Sequence, residues 1–164
     1  MASTLFRTHH DLPAKIRAQA VQILIQHVAD TTDLFTQVKT AHWNVKGPNF
    51  IALHELFDKL AEELEGHADM LAERATALGG YVPGSLCQAA TTTRLPDWPS
   101  DATDGSRVVH ALVERYAQLA KATRGAIAAT AKLDDAGTAD LFTGLSRELD
   151  KSMWFLEAHE QAAR

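Results

Sequence analysis

Apolar positions along this chain recur at intervals of three and four over four long stretches, and the alternation of a strand is absent. In the first, from about Asp11 to Val45, a broad apolar face runs through Ile16, Ala20, Ile23, Ile25, His27, Val28, Leu34, Phe35 and Val38. Asp11 is expected as its N-cap, with Pro13 in the first turn, and Gly47-Pro48 ends it. The second starts near Asn49, carries Leu53, Leu56, Phe57, Leu60, Leu64, Leu71 and Leu78, and stops at Gly79-Gly80. Tyr81 to Asp101 holds Pro83, Gly84, Pro96 and Pro99 and reads as a connector, with a short helix from Ser85 to Thr91. The third stretch runs from about Asp104 to Lys132 on Val108, Leu112, Tyr116 and Leu119. The fourth is expected to begin after Gly137, with Thr138 as N-cap and Asp140 in its first turn. It buries Leu141, Leu145, Leu149, Met153 and Leu156, and Trp154 reads as core too. Short links join helices one to two and three to four, and a long one joins two to three. That predicts an all-α four-helix bundle with one crossover and a short extra helix in the long connector.

Composition narrows the class. A chain of 164 residues, 46% apolar and 23% charged, suits a single soluble domain over 11–164, preceded by a flexible N-terminal tail at 1–10. No apolar run approaches the roughly 20 residues of a membrane span, and the first residues lack a secretory hydrophobic segment, so a cytoplasmic location is expected. Cys87 is the only cysteine, which excludes an internal disulfide and a Cys-rich zinc site. A net charge of −5 excludes a surface that is one continuous nucleic-acid footprint. The charge is uneven: residues 47–80 hold two Lys/Arg against seven Asp/Glu, together with two of the eight histidines. Function is to be sought there.

In the second helix His54 and Asp58 are four apart, as are Asp69 and Glu73, so each pair lies on one face. The step from Asp58 to Asp69 runs about 20° past three whole turns, which places all four on one stripe of N and O donors suited to iron, manganese or zinc. Asp58 and Asp69 are nevertheless about 16 Å apart along the axis, too far to share an ion within one helix. Two copies crossing antiparallel about a two-fold axis remove the difficulty. The residue numbers of His54 and Glu73 add to 127, as do those of Asp58 and Asp69, so one register joins both pairs into two identical sites. His42, near the end of the first helix, could add a further nitrogen. No histidine has a carboxylate three positions before it, which argues against a di-iron centre buried inside one bundle. Taken singly, such pairs are more often solvated surface than ligands, and a polar dimer seam without chemistry remains the alternative.

The segments HWNVKG, LHELFD, DMLAER and LGG between His42 and Gly80 resemble the Dps family of mini-ferritins. The likeness extends to ERY at 114–116 and TADLFTGLSRELDKSMWFLEAH at 138–159. The resemblance implies a ferritin-like bundle assembled as a hollow homo-dodecamer with ferroxidase centres at its two-fold interfaces. His42, His54 and Asp58 of one chain and Asp69 and Glu73 of its mate match the family's iron ligands in type. The implied chemistry is oxidation of Fe(II) by hydrogen peroxide and storage of Fe(III) mineral, guarding the cell and its DNA against oxidative damage. Trp43 resembles the family tryptophan that can donate an electron, with interface packing as its other reading. The rival reading within the family is a nucleoid protein that chiefly compacts DNA. Only Arg7, Lys15 and Arg17 are basic near the N-terminus and the last residues are not a basic tail, so direct DNA binding and nucleoid association stay open.

Other signals are fainter. Glu55, Glu62 and Glu65 lie on or beside the acidic stripe as mineral-nucleating candidates or as a hydrated face. Asp134, Asp135 and Asp140 resemble acids that line iron-admitting pores, or cap the fourth helix. His9 and His10 fall in the expected tail. His27, His67, His110 and His159 have no convincing partner in the sequence and are assigned no role.

Overall fold

The computed structural model describes residues 5–161. Five helices follow one another: α1 (Ala14–Asn44), α2 (Phe50–Ala77), α3 (Leu86–Thr92), α4 (Gly105–Lys132) and α5 (Ala136–Gln161). α1 packs antiparallel on α2, and α4 packs on α5. The connector that carries α3 returns the chain along the bundle, so α4 starts beside the start of α2. There the Lys46 N–H donates to the Thr103 carbonyl at 2.8 Å. The expected all-α bundle with one crossover and a short connector helix is the observed fold. Residues 1–4 of the expected tail lie outside the described residues, while the Phe6 N–H donates to the Gly79 carbonyl at 2.7 Å.

Helix ends follow local chemistry, with two departures from expectation. α1 begins at Ala14 with Pro13 in the cap position and no side-chain cap. The ring of Pro13 pushes Leu12 out of helical backbone, so Asp11 is too early to cap anything. α5 begins at Ala136, before the expected start after Gly137, because Asp135 is the better acceptor. Its Oδ1 takes the Thr138 N–H at 3.0 Å, and the Thr138 hydroxyl donates to Oδ2, so Thr138 sits inside the helix. Asp134 makes the turn in left-handed backbone, φ 57°. α2 ends in a Schellman motif: Gly80 N–H donates to Ala75 O and Gly79 N–H to Thr76 O, both at 2.8 Å, with Gly79 at φ 89°. Arg17 Nη1 donates to the adjacent Leu78 carbonyl at 2.8 Å.

The core is two apolar clusters with a polar waist between them. One holds Leu34, Phe57, Leu60, Leu64, Leu112, Tyr116 and Leu149; the other holds Val21, Leu24, Leu71, Leu78, Phe142 and Leu145. Between them along each long helix come buried polar residues: Asp30 and Thr31 on α1, His67 on α2, Thr123 on α4 and Ser146 on α5. Asp30 Oδ2 accepts from both Nε and Nη2 of Arg94 in the connector, and its Oδ1 accepts the Arg94 backbone N–H at 2.8 Å. Arg115 Nη1 donates to its own helix at Ala111 O (2.9 Å), while its Nη2 reaches the Asp97 carbonyl, so two buried arms hold the crossover down. Trp154, expected in the core, is 58% exposed and tilts against Phe155. It lies about 200° round α5 from Leu156, on the opposite face.

A Cβ at Gly80 would lie 2.6 Å from Val21 Cγ1 and 2.9 Å from the Ala75 carbonyl. Gly80→Ala is therefore expected to cost about 1–3 kcal/mol, or roughly 5 °C in Tm, through overpacking at the α1–α2 contact. Thermal unfolding followed by circular dichroism checks this, and an unchanged Tm would contradict it.

Candidate metal centre

The last turn of α1 and the opening turns of α2 bring three of the candidate donors together. The rings of His42 and His54 stack with centroids 3.7 Å apart and planes at 21°. Their hydrogen bonds cross: His42 Nδ1–H donates to the His54 carbonyl at 2.8 Å and His54 Nδ1–H to the His42 carbonyl at 2.9 Å. The His42 carbonyl belongs to the turn whose acceptors have no partner inside the helix, so the second bond also finishes α1. A carbonyl can only accept, which puts a proton on Nδ1 of each ring and leaves Nε2 as the nitrogen open to a metal. His42 Nε2 lies 4.0 Å from Asp58 Oδ1; the His42 side chain is 12% exposed and that of Asp58 60%. Two stacked imidazoles thus stand beside a solvent-facing carboxylate.

Lys39 completes the cluster and was not foreseen. Its Nζ donates to Asp58 Oδ1 at 2.7 Å. That hydrogen bond, with the ammonium's charge behind it, holds the Asp58 carboxyl below the usual carboxylate range. The signal was available, since Lys39 precedes His42 by three residues and shares its face.

Asp69 and Glu73 lie further along α2, both exposed. Among the described residues no three His, Cys, Asp or Glu side chains of one chain are placed to hold a metal ion. His42, His54 and Asp58 are brought together, whereas Asp69 and Glu73 are not brought to them. Trp43 is 69% exposed next to His42, and Glu55, Glu62 and Glu65 are exposed on α2. Three histidines without legible partners have them in three dimensions. His67, buried, meets Glu148 Oε2 at 2.6 Å through Nε2, and His110 meets Glu160 Oε1 at 2.9 Å. His27 packs edge-on against Phe142, and burial lowers its pKa. Asp135, grouped above with Asp134 and Asp140, is buried and bound to Thr138 and Arg74, while the other two are exposed.

The ferritin-like domain family matches residues 21–164. The DNA protection during starvation protein of Agrobacterium fabrum is 44% identical over 155 residues, covering 94% of this chain and 96% of that one. The chain belongs to the Dps family of ferritin-like proteins. Solved structures agree. DpsC from Streptomyces coelicolor superposes with a TM-score of 0.91 at 30% identity, over 95% of this chain and 91% of that one. Mycobacterium smegmatis Dps does so at 0.89 and 30%, over 94% of each. Among the described residues of this Dps-family chain no helix is long and apolar enough to cross a membrane.

Lys39 and a divalent cation would compete for the same Asp58 oxygen. Lys39→Met is expected to tighten Co²⁺ binding by a few-fold in an absorbance titration of the metal-free protein. Unchanged or weaker binding would contradict the competition.

Proposed function

We propose that this Dps-family chain oxidises Fe(II) at centres shared between two copies, with hydrogen peroxide as oxidant, and stores the Fe(III) product inside a hollow dodecamer. The observation that carries the reading is the crossed pair of histidine–carbonyl bonds. It presets two nitrogen donors and Asp58 at one end of α2, where the remaining donors of the same chain cannot reach them. Asp69 and Glu73 of a second copy supply the missing carboxylates when two α2 helices cross antiparallel in the register derived above. Exposed apolar side chains support that pairing. Trp43, Phe50 and Ile51 lie at one end of α2 and Phe6 and Tyr81 at the other, so the crossing lays unlike ends together and covers both.

The donor set fits the chemistry. Iron is the substrate, and hard carboxylates favour its ferric state over its ferrous one, which lowers the cost of losing an electron. Two Fe(II) ions each give up one electron to one hydrogen peroxide. The O–O bond breaks, two protons are taken up and two waters leave, so a hydroxyl radical need not escape. The His42 and His54 rings, held through Nδ1 by the crossed carbonyl bonds, would offer Nε2 to the iron without having to reorient. Lys39 leaves Asp58 when the metal arrives and becomes a cation at the rim. Trp43 stands where it could lend an electron or pack at the seam. Consumption of peroxide and ferrous iron together accords with the DNA protection for which the relatives are named.

Sharing between copies gives a clear test. Asp58→Ala and Asp69→Ala should each abolish rapid Fe(II) oxidation. A mixed dimer keeps one intact centre, because both lesions fall in the other. Dissociated and co-assembled in equal amounts, the two variants should recover about a quarter of the wild-type rate, from half the dimers with one of two centres each. Stopped-flow absorbance of ferric product reads the rate. No recovery in verified mixed assemblies would show that the donors belong to a single chain.

A further inference from the structure

The face of α2 that points away from the candidate donors carries polar ties to α5: the Ser152 hydroxyl donates to Glu63 Oε2 at 3.0 Å, and two further ties bracket Asp69 and Glu73. On one side of the donor pair, buried His67 meets Glu148 at 2.6 Å across the polar waist. On the other, Arg74 Nε donates to Thr138 Oγ1 at 2.9 Å and Nη2 to Asp135 Oδ1 at 2.8 Å. Asp135 is 1% exposed and also caps α5, so Arg74 is bonded to a group that cannot move. Burial works to raise the Asp135 pKa, but the Thr138 hydrogen bonds and the Arg74 charge outweigh it, and the carboxyl stays ionised. Gly137 completes the seat: a Cβ there would lie 3.1 Å from Arg74 Nη2.

At 100° per residue the two ties sit roughly 130° round the helix from the Asp69–Glu73 direction. Leucine packing decides which face of α2 is inward, but apolar contact is non-directional and tolerates small rotations and slides. Directed bonds from both ends of a short span do not. Donors that must meet an ion held by another molecule need placement to about 0.5 Å. We infer that His67–Glu148 and Arg74–Asp135–Thr138 are positioning groups that fix the rotation of the C-terminal half of α2, and so aim Asp69 and Glu73 at the second copy's His54 and Asp58. This rests on the shared centre proposed above. It also gives Asp135 a different task from its neighbours Asp134 and Asp140.

Co²⁺ titration of the assembled, metal-free protein, read by its visible absorbance, tests the inference apart from activity. Arg74→Lys keeps the charge but loses the fork, and Glu148→Ala alters a side chain that is 60% exposed, so folding is spared. Each should weaken Co²⁺ binding at the Asp58-dependent centre about tenfold, with the assembly mass unchanged. Glu148→Gln retains an acceptor for His67 and should bind nearly as the wild type does. Arg124→Ala, which breaks a surface pair with Asp150 remote from the donors, should have no effect. Wild-type protein with no Asp58-dependent Co²⁺ would overturn the shared centre and this inference with it. Asp58-dependent Co²⁺ bound as tightly by the Arg74 and Glu148 variants as by the wild type would overturn this inference alone. Equal weakening in Arg124→Ala would do the same, since the effect would then follow general stability.

Discussion

Two hydrogen bonds that cross between α1 and α2 set the terms for everything else at the candidate centre. Each of His42 and His54 gives its Nδ1 proton to the other's carbonyl, and neither ring can turn without leaving a donor unpaired. That lock fixes the tautomers, stacks the rings and ties the end of the first helix to the start of the second. It also leaves three candidate donors, His42, His54 and Asp58, at one end of a rod. A single α-helix cannot add to them, because its rise of about 1.5 Å per residue carries Asp69 and Glu73 well beyond reach.

The bundle meets the demand for accuracy with polar groups at unusual depth. Its core is interrupted at mid-height by Asp30, His67, Thr123 and Ser146. Buried polar groups lower stability unless paired, and here the pairing is used to bind elements that apolar packing alone would hold loosely. Asp30 fastens the crossover through Arg94, and Arg115 fastens it again through the Asp97 carbonyl. His67 and Arg74 fasten α2 to α5.

Much of this was legible in the sequence. Spacings of three and four placed the helices, and Asp104, Ser85 and Gly79 stand at the boundaries their chemistry suggests. The stripe of His54 and Asp58 was equally plain, because donors four apart must share a face. What the sequence hid was lateral. Nothing in local spacing says that Glu148 lies against His67, or that Asp135 turns inward to Arg74 while Asp134 stays outside. Trp154 was misplaced because a large aromatic was assumed to be buried, although its phase on α5 opposes Leu156. Spacing puts Lys39 on the face of His42, but only the fold shows that its ammonium rests on Asp58.

The central claim is that one bundle holds half of each metal centre and a second copy holds the rest. An anomalous-difference map from crystals of the assembled protein soaked in a divalent metal addresses it most directly. The expected result is a peak on the seam between two antiparallel α2 helices, within bonding distance of His54 and Asp58 from one chain and Glu73 from the other. A peak ligated by side chains of a single chain, or Asp58 remote from every copy of Glu73, would contradict it.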